Sequence, residues 1–555
     1  MFFRQKRSGS RTYLQIVENV RAGGQVRQHV IATLGRMDDL ARSGRLEALL
    51  ASGARFSDQL MLLSQAHDTA LTARRIGPPL VFGRLWEETG IKAVLDALLQ
   101  ERSFGFPVER AIFTTTLHRI LISGSDRACE FWRDDYLIPG AQDLQLHHFY
   151  RAMAWLGEPL GPEHQDAATP GAPRCTKDLI EEQLFARRRD LFSELSLCFF
   201  DTTSLYFEGD GGATLGRRGH SKDYRPQLNQ MILGVVLDDA GRPICSQMWP
   251  GNTADVTTLI PVVDRLARRF GITRVCVVAD RGMISRATLE ALEQRRLEYI
   301  LGVRERSTKE VRDHVLEDDG PSLPIVIERA GGRETELEAK EVRIAGRRYI
   351  VCRNEAQAKE DAATREAVLA TLRDKLRQGD KSLVGNTAYR RFLKAPAGDH
   401  FEIDAAKVAE EARYDGLFVL RTNTRLSPLT VMLQYRRLLQ VEQVFRAAKA
   451  VIETRPIYHR TDAAIRGHVF CSFLAIVLEQ ALMAHCAAQG LKPERQPLLL
   501  DLDRLQETVL THKDKSWIVR TEASGCTAAV FRALGLALPP RTRPLDPNST
   551  PAAAL

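Results

Sequence analysis

The chain contains no C-x-x-C pair. Its nine cysteines, Cys129, Cys175, Cys198, Cys245, Cys276, Cys352, Cys471, Cys486 and Cys526, are scattered through 555 residues. That spacing excludes a zinc ribbon and a disulfide scaffold, and it fits a reducing cytoplasm. The first residues, "MFFRQKRSGSR", lack the long apolar region of a secretory signal. The most apolar stretch, "VFCSFLAIVL" at 469–478, meets Glu479 too early for a membrane span and is expected as a buried core helix. No internal repeat is present. Acid is scarce at the start: residues 1–36 hold seven basic residues against Glu18 alone.

What is there is the composition of an ordinary globular protein, 44% hydrophobic and 27% charged. The length predicts about three or four domains. The net charge is +8 and the sequence pI about 9.0. Such a balance points to an anionic partner, nucleic acid first, and to no membrane.

Residues 12–34 read as two β-like runs around Gly23 and Gly24, a small basic hairpin. From about 82 to 158 the pattern turns helical. "GPEHQDAATPGAPRC" at 161–175 reads as a linker, and "PPRTRPLDPNSTPAAAL" at 539–555 as a disordered tail. The middle is the most informative part. A strand at 197–207 precedes a glycine-rich polar loop and two more strands at 230–238 and 243–251. Next come a helix at 254–269, a strand at 273–280, a helix at 284–294 and a strand at 298–305. Residues 306–413 interrupt this with short β-like runs and a charged helix near 356–378. A strand at 416–424 and a long helix at 429–452 follow. Three strands and then alternating helix and strand predict an α/β fold: a mixed sheet covered by helices, in the order of an RNase H-like core.

In "LCFFDTTSLYF" (197–207), Asp201 interrupts an apolar run, where a carboxylate is expensive unless its charge is cancelled. Alone, it reads as a structural acid paired with an arginine or a backbone amide. Asp280 ends "VCVVAD", at the carboxyl edge where α/β sheets present groups to ligands. Alone, it caps the next turn equally well. Glu442 lies in "YRRLLQVEQVFRAAKAVI", with Leu438, Val441, Phe445, Ala448 and Ile452 as the apolar stripe. Arg446 and Lys449 share its adjoining face, so alone it reads as a solvated partner of Arg446. The trio is more specific than its members. Converging carboxylates repel one another without a cation, and hard divalent ions take oxygen ligands. Two such ions roughly 3.5–4 Å apart serve both the attacking and the leaving oxygen of a phosphodiester displacement.

The stretches "FFDTTSLYFEG", "VVADRGMIS", and "YDGLFVLRTN" leading into "YRRLLQVEQVFRAAK" resemble DDE transposases of bacterial insertion sequences. Within the insertion-sequence-4 superfamily they are most similar to the insertion-sequence-1634 branch. The family signature Y-x2-R-x3-E-x6-K is matched in spacing by Tyr435, Glu442 and Lys449. Leu438 stands at its arginine position, with Arg436 and Arg437 just before it. The resemblance implies an RNase H-like catalytic core at 176–305 and 414–490, with a β-rich insertion at 306–413 ahead of the third acid. By general layout, 1–80 is a basic hairpin region, 81–160 a helical DNA-binding or dimerisation region, and 491–538 a C-terminal region. It also implies that Asp201, Asp280 and Glu442 are catalytic and hold two Mg²⁺ ions, with Mn²⁺ as a substitute. Such a protein binds the double-stranded ends of its element as a homodimer, cuts phosphodiesters and joins the 3′ ends to target DNA. Its expected place is the bacterial cytoplasm, at the nucleoid.

Residues 421–460 hold eight basic residues against Glu442 and Glu453, which reads as a phosphate track. Tyr435, Arg436, Arg437, Arg446 and Lys449 are the expected DNA contacts there. The loop "RRGHSKDYRPQ" adds His220, Lys222 and Arg225, although His220 reads equally as a plain loop residue. Asn252 positions DNA or caps the helix that follows, and by propensity capping leads. Tyr224 and Trp249 stack on an extruded base or pack in a core. Two rival functions stay open: an RNase H-like structure-specific nuclease without strand transfer, and a DNA-binding regulator with a dead core. A phosphatase of the haloacid dehalogenase type is set aside, because it requires a second acid where Thr203 stands.

Overall fold

The structure is a computed structural model that describes residues 1–22, 25–54, 71–122, 124–165, 171–188, 197–272, 275–329, 333–378, 389, 391–394, 401–451, 454–512 and 515–545. At the amino terminus β1 (Phe2–Ser8), β2 (Arg11–Ala22) and β3 (Gln25–Arg36) form an antiparallel sheet. The expected hairpin is β2 and β3, with its Gly23-Gly24 turn outside the described residues. β1 is an addition. Its sequence "FFRQKRS" shows no apolar alternation, so only its pairing with β2 reveals it. β4 (Leu71–Arg75) follows, and its partners come from the far end of the chain.

The centre is a mixed sheet of nine strands. β5 (Leu197–Tyr206), β6 (Gln230–Leu237) and β7 (Pro243–Pro250) pair antiparallel in turn. β8 (Cys276–Ala279) and β9 (Glu298–Val303) run parallel to β5. Parallel neighbours need a crossover, and the helices Leu259–Phe270 and Arg286–Gln294 supply it. β10 (Leu323–Arg329), β11 (Arg333–Ile344) and β12 (Arg347–Arg353) form a meander. Two short strands, β13 (Leu393–Lys394) and β14 (Glu402–Ile403), pair with each other before β15 (Leu417–Thr422). The order across the sheet is β10-β11-β12-β15-β9-β8-β5-β6-β7. The fold is therefore mixed α/β. The stretch expected as an insertion is only partly separate, since β12 pairs with β15 and carries β10 and β11 into the central sheet. The part between β12 and β15 keeps a small core of its own, built on Leu369, Leu372, Phe392 and Leu393.

The two faces of β5 bury into different cores, because a strand alternates its side chains. Phe199 and Leu205 join the core that holds Val441 and Phe445 of the helix Leu439–Arg446. Cys198 and Phe200 join the core of the two crossover helices. The helix Asp462–Ala488 is long and apolar enough to cross a membrane, yet it is buried continuously from Ala464 to Leu478. It packs on the helices Val108–Leu121 and Leu146–Leu156, as a helix apolar all round should. The stretch expected as a linker closes on itself, with Leu160 N donating to Arg174 O at 2.8 Å; its residues 166–170 lie outside the described residues. At the carboxyl end β16 (Gln506–His512), β17 (Lys515–Arg520) and β18 (Thr542–Leu545) form a sheet in the order β18-β17-β16-β4. The tail expected to be disordered thus supplies an edge strand, and its residues 546–555 lie outside the described residues. All nine cysteines are free.

Candidate active site

β5 and β8 lie side by side in the register Phe200↔Ala279. Continued by one residue, that register sets Asp201 beside Asp280. Asp201 shares the face of Phe199 and Leu205, which looks toward the helix Leu439–Arg446, and Glu442 sits in that helix's first turn. The three carboxylates, with Tyr435, Arg436 and Leu438, line one cavity of about 240 Å³. Tyr435 donates its hydroxyl to Asp280 Oδ1 at 2.9 Å. To reach it, the ring crosses β9 at Gly302, where a Cβ would stand 2.3 Å from Tyr435 Oη. Glycine is needed there for space.

Asp201 is half-buried, and its pKa is pushed up to about 6. Burial is the main cause, and the neighbouring Asp280 and Asp255 add to it, against the ammonium of Lys222 and the amide of Thr202. Its hydrogen bond comes from that amide, Thr202 N to Oδ1 at 2.7 Å. Among the described residues no arginine pairs with Asp201, Arg446 does not pair with Glu442, and the Asp280 carboxylate makes no capping bond. Asp255 is a charge neighbour of Asp201 that the sequence does not mark. It accepts from Thr202 Oγ1 at 2.8 Å and pairs with Lys222 Nζ at 3.0 Å. Its sequence setting, "NTADVT", looks like the approach to a helix and carries no signal for this role.

The expected DNA contacts fall into distinct places. Arg436 lines the acid cavity. Arg437 lies over the Phe199 ring at 5.3 Å, and Arg225 over the Tyr206 ring at 5.3 Å. Arg446 and His220 are exposed. Lys222 is held on Asp255 and on Thr202 O at 2.8 Å. Lys449 does not stand free beside Glu442. It donates to Asp223 Oδ1 at 2.8 Å, the oxygen that Arg455 also meets at 2.6 Å, and burial lowers its pKa. The cause is a correction to the long helix expected at 429–452. That segment is Pro428–Arg436, a break, Leu439–Arg446, and then a π-helical turn, Ala447–Val451. The wider turn moves Lys449 away from the i+7 position of an unbroken helix. Asn252 is exposed and caps nothing, since Ala254 and Thr258 hold the next N-cap positions. Trp249 is buried in a core, whereas Tyr224 is 95% exposed at φ +57°.

Elsewhere Asp126, His459 and His468 bring one ligand atom each within 4.8 Å of one another. This group already has its cation. Arg119 donates to Asp126 Oδ1 at 2.9 Å and lies 2.9 Å from His468 Nδ1. Burial and that guanidinium push His468 down to about 4, so its ring is neutral.

Residues 193–478 match the family model of the transposase DDE domain. Residues 3–67 match that of the IS1634 family transposase, N-terminal domain. No curated protein matches. Among solved structures, seven chains match. One is the piggyBac transposase synaptic complex with hairpin DNA, determined by cryo-EM. It is 12% identical, covers 77% of this chain and 79% of that one, and has a TM-score of 0.37, too loose a likeness to bear on the site.

Proposed function

The chain belongs to the DDE transposases, in the IS1634 family, and from that premise we propose that it cuts the ends of its own mobile element and joins the 3′ ends to target DNA. The supporting observation is the convergence of Asp201 on β5, Asp280 just after β8 and Glu442 on a helix upon one cavity. The strand order β7-β6-β5-β8-β9, with β6 alone antiparallel, supports an RNase H-like reading of this part of the sheet.

The residues fit a pair of divalent cations, Mg²⁺ first. The donors are all carboxylate oxygens, the ligands that hard ions prefer. Burial above all, with the carboxylates of Asp280 and Asp255 adding to it, raises the pKa of Asp201, so a cation bound there would favour its ionised form. Bound there, such ions supply an activated water or 3′ hydroxyl and counter-charge for the leaving oxygen. The chain's own groups do the positioning. Tyr435 fixes the Asp280 carboxylate, Lys222 fixes Asp255 beside Thr202, and Arg436 presents a guanidinium to a phosphodiester in the cavity. Arg446 extends positive charge along the exposed surface, and a dimer would hold two DNA ends.

The test uses a labelled duplex of the element end. Asp201→Asn is expected to fold, bind that duplex, and lose both strand cleavage and strand transfer in Mg²⁺. Asp280→Asn and Glu442→Gln should do the same, with double variants no worse than single ones, because such groups act as one unit. A folded Asp201→Asn protein that cleaves at the wild-type rate would overturn the reading.

A further inference from the structure

A second cavity, of about 860 Å³, lies between the helical region and the segment leading into the helix Asp462–Ala488. Three arginines of its wall, Arg127, Arg151 and Arg460, have no carboxylate within 4.0 Å among the described residues. Its one acid, Asp126, is already neutralised by the buried Arg119 and accepts from His459 Nε2 at 2.9 Å. The wall is therefore cationic. It also carries two aromatic faces. Tyr150 stands edge-on to His459 with ring centres 5.4 Å apart, and Tyr458 is 65% exposed. Arg151 lies over the Phe106 ring at 5.2 Å and keeps its charge. Arginines without a carboxylate beside open rings are the means by which single strands are held, the cations following phosphates and the rings stacking on bases. In a duplex the bases stack on each other and leave such a ring without a partner.

The position ties this cavity to the acids. Ile457 N donates to Tyr206 O at 3.3 Å and Glu208 N to Ile457 O at 3.1 Å, so the segment is paired to the end of β5. Asp201 lies earlier on that strand, about 20 Å away at the usual rise. Between them Arg455 lies over the Tyr206 ring and shares Asp223 with Lys449.

We propose that this cavity binds an unpaired stretch of the DNA strand whose phosphodiester lies at Asp201, Asp280 and Glu442. Arg127, Arg151 and Arg460 hold its phosphates and Tyr458 stacks on a base. The identity of the strand rests on the transposase reading; the chemistry of the cavity does not.

The test uses the full chain in EDTA, where cleavage is silent, and a fluorescent oligothymidylate of about 10 nucleotides, within the usual site size. Tyr458→Ala is expected to weaken binding about tenfold, and Tyr458→Trp to retain it. Arg127→Ala with Arg460→Ala should lower the salt slope of single-strand binding by about 1.4. Melting temperatures near wild type would show that the variants fold. Unchanged single-strand affinity in both variants overturns the proposal. An equal loss for a duplex of the same length also overturns it, as does free thymidine monophosphate competing as well as the oligonucleotide. Wild-type cleavage of end DNA in Mg²⁺ is read separately. If it occurs while the variants bind single strands normally, the cavity proposal alone fails. If it is absent while single-strand binding depends on Tyr458, the cavity proposal stands and the catalytic reading fails.

Discussion

At the residue scale Asp201 is the informative group. Its carboxyl is held near 6 in the folded chain, against an ordinary value of 3.8, so the folded state binds the proton more tightly than the unfolded one. The metal-free protein therefore loses stability as pH rises from about 4 to about 6, by at most about 3 kcal/mol. A cation ligated by Asp201 competes with that proton. Titration with Mn²⁺ should show affinity at pH 5 weaker than at pH 7.5 by about tenfold, and equal affinities would remove Asp201 from the ligand set. Tyr435 and Gly302 form a second residue-scale test. Gly302→Ala puts a methyl group against the Tyr435 hydroxyl and is expected to lower the melting temperature. Adding Tyr435→Phe should recover part of that loss, because the clashing oxygen is gone. Tyr435→Phe alone should keep the fold and slow cleavage, since a hydrogen bond to a charged group, worth about 1.5–3 kcal/mol, is lost from Asp280.

At the scale of elements, the break after Arg436 and the π-helical turn after Arg446 set where the basic groups of this segment stand. The charge of Lys449 is spent on Asp223, which ties the loop after β5 to that turn. Lys449→Ala is accordingly expected to loosen the loop and slow cleavage while leaving the salt slope of end binding unchanged. A slope shallower by about 1 would instead make it a phosphate contact. The segment between β12 and β15 gives another test. Arg353 pairs with Leu417, and Asn354 N donates to Gly416 O at 2.9 Å. Deleting 355–415 would join Asn354 to Gly416, and Asn-Gly is a favoured two-residue hairpin turn. That variant should fold and keep metal binding. Deleting 306–413 removes β10, β11 and β12, uncovers the edge of β15, and should aggregate.

At the scale of the whole molecule, the basic amino-terminal sheet and the sheet that carries the acids are separate sheets. Removal of residues 1–36, with seven basic residues and one acid, should weaken binding to end DNA and leave Mn²⁺ binding intact. Wild-type affinity in that truncation would make the charge incidental. Segments far apart in the chain also meet, since β4 (Leu71–Arg75) completes a sheet with β16, β17 and β18. Loss of β18 should therefore destabilise the region, because Ser516 to Val519 of β17 lose their partners; a melting curve measures this.

The sequence by itself determined most of the central elements, though not β1 or the breaks within 429–452. Alternation, helical spacing and turn residues are local, so β5, β6, β7 and β9 and the charged helix Glu355–Gln378 lie within a few residues of their expected bounds. An acid inside an apolar strand was equally legible, because its cost is set by its immediate neighbours. The tertiary structure alone decided which strands became neighbours, hence the entry of β10–β12 into the central sheet and the union of β4 with β16. It also decided that Thr202, turned to the opposite face from Asp201, would bring Asp255 to the site. Lys449 on Asp223 and Tyr435 on Asp280 join residues far apart in the chain. The register that brings such residues together is set by packing between elements, and no local period encodes it.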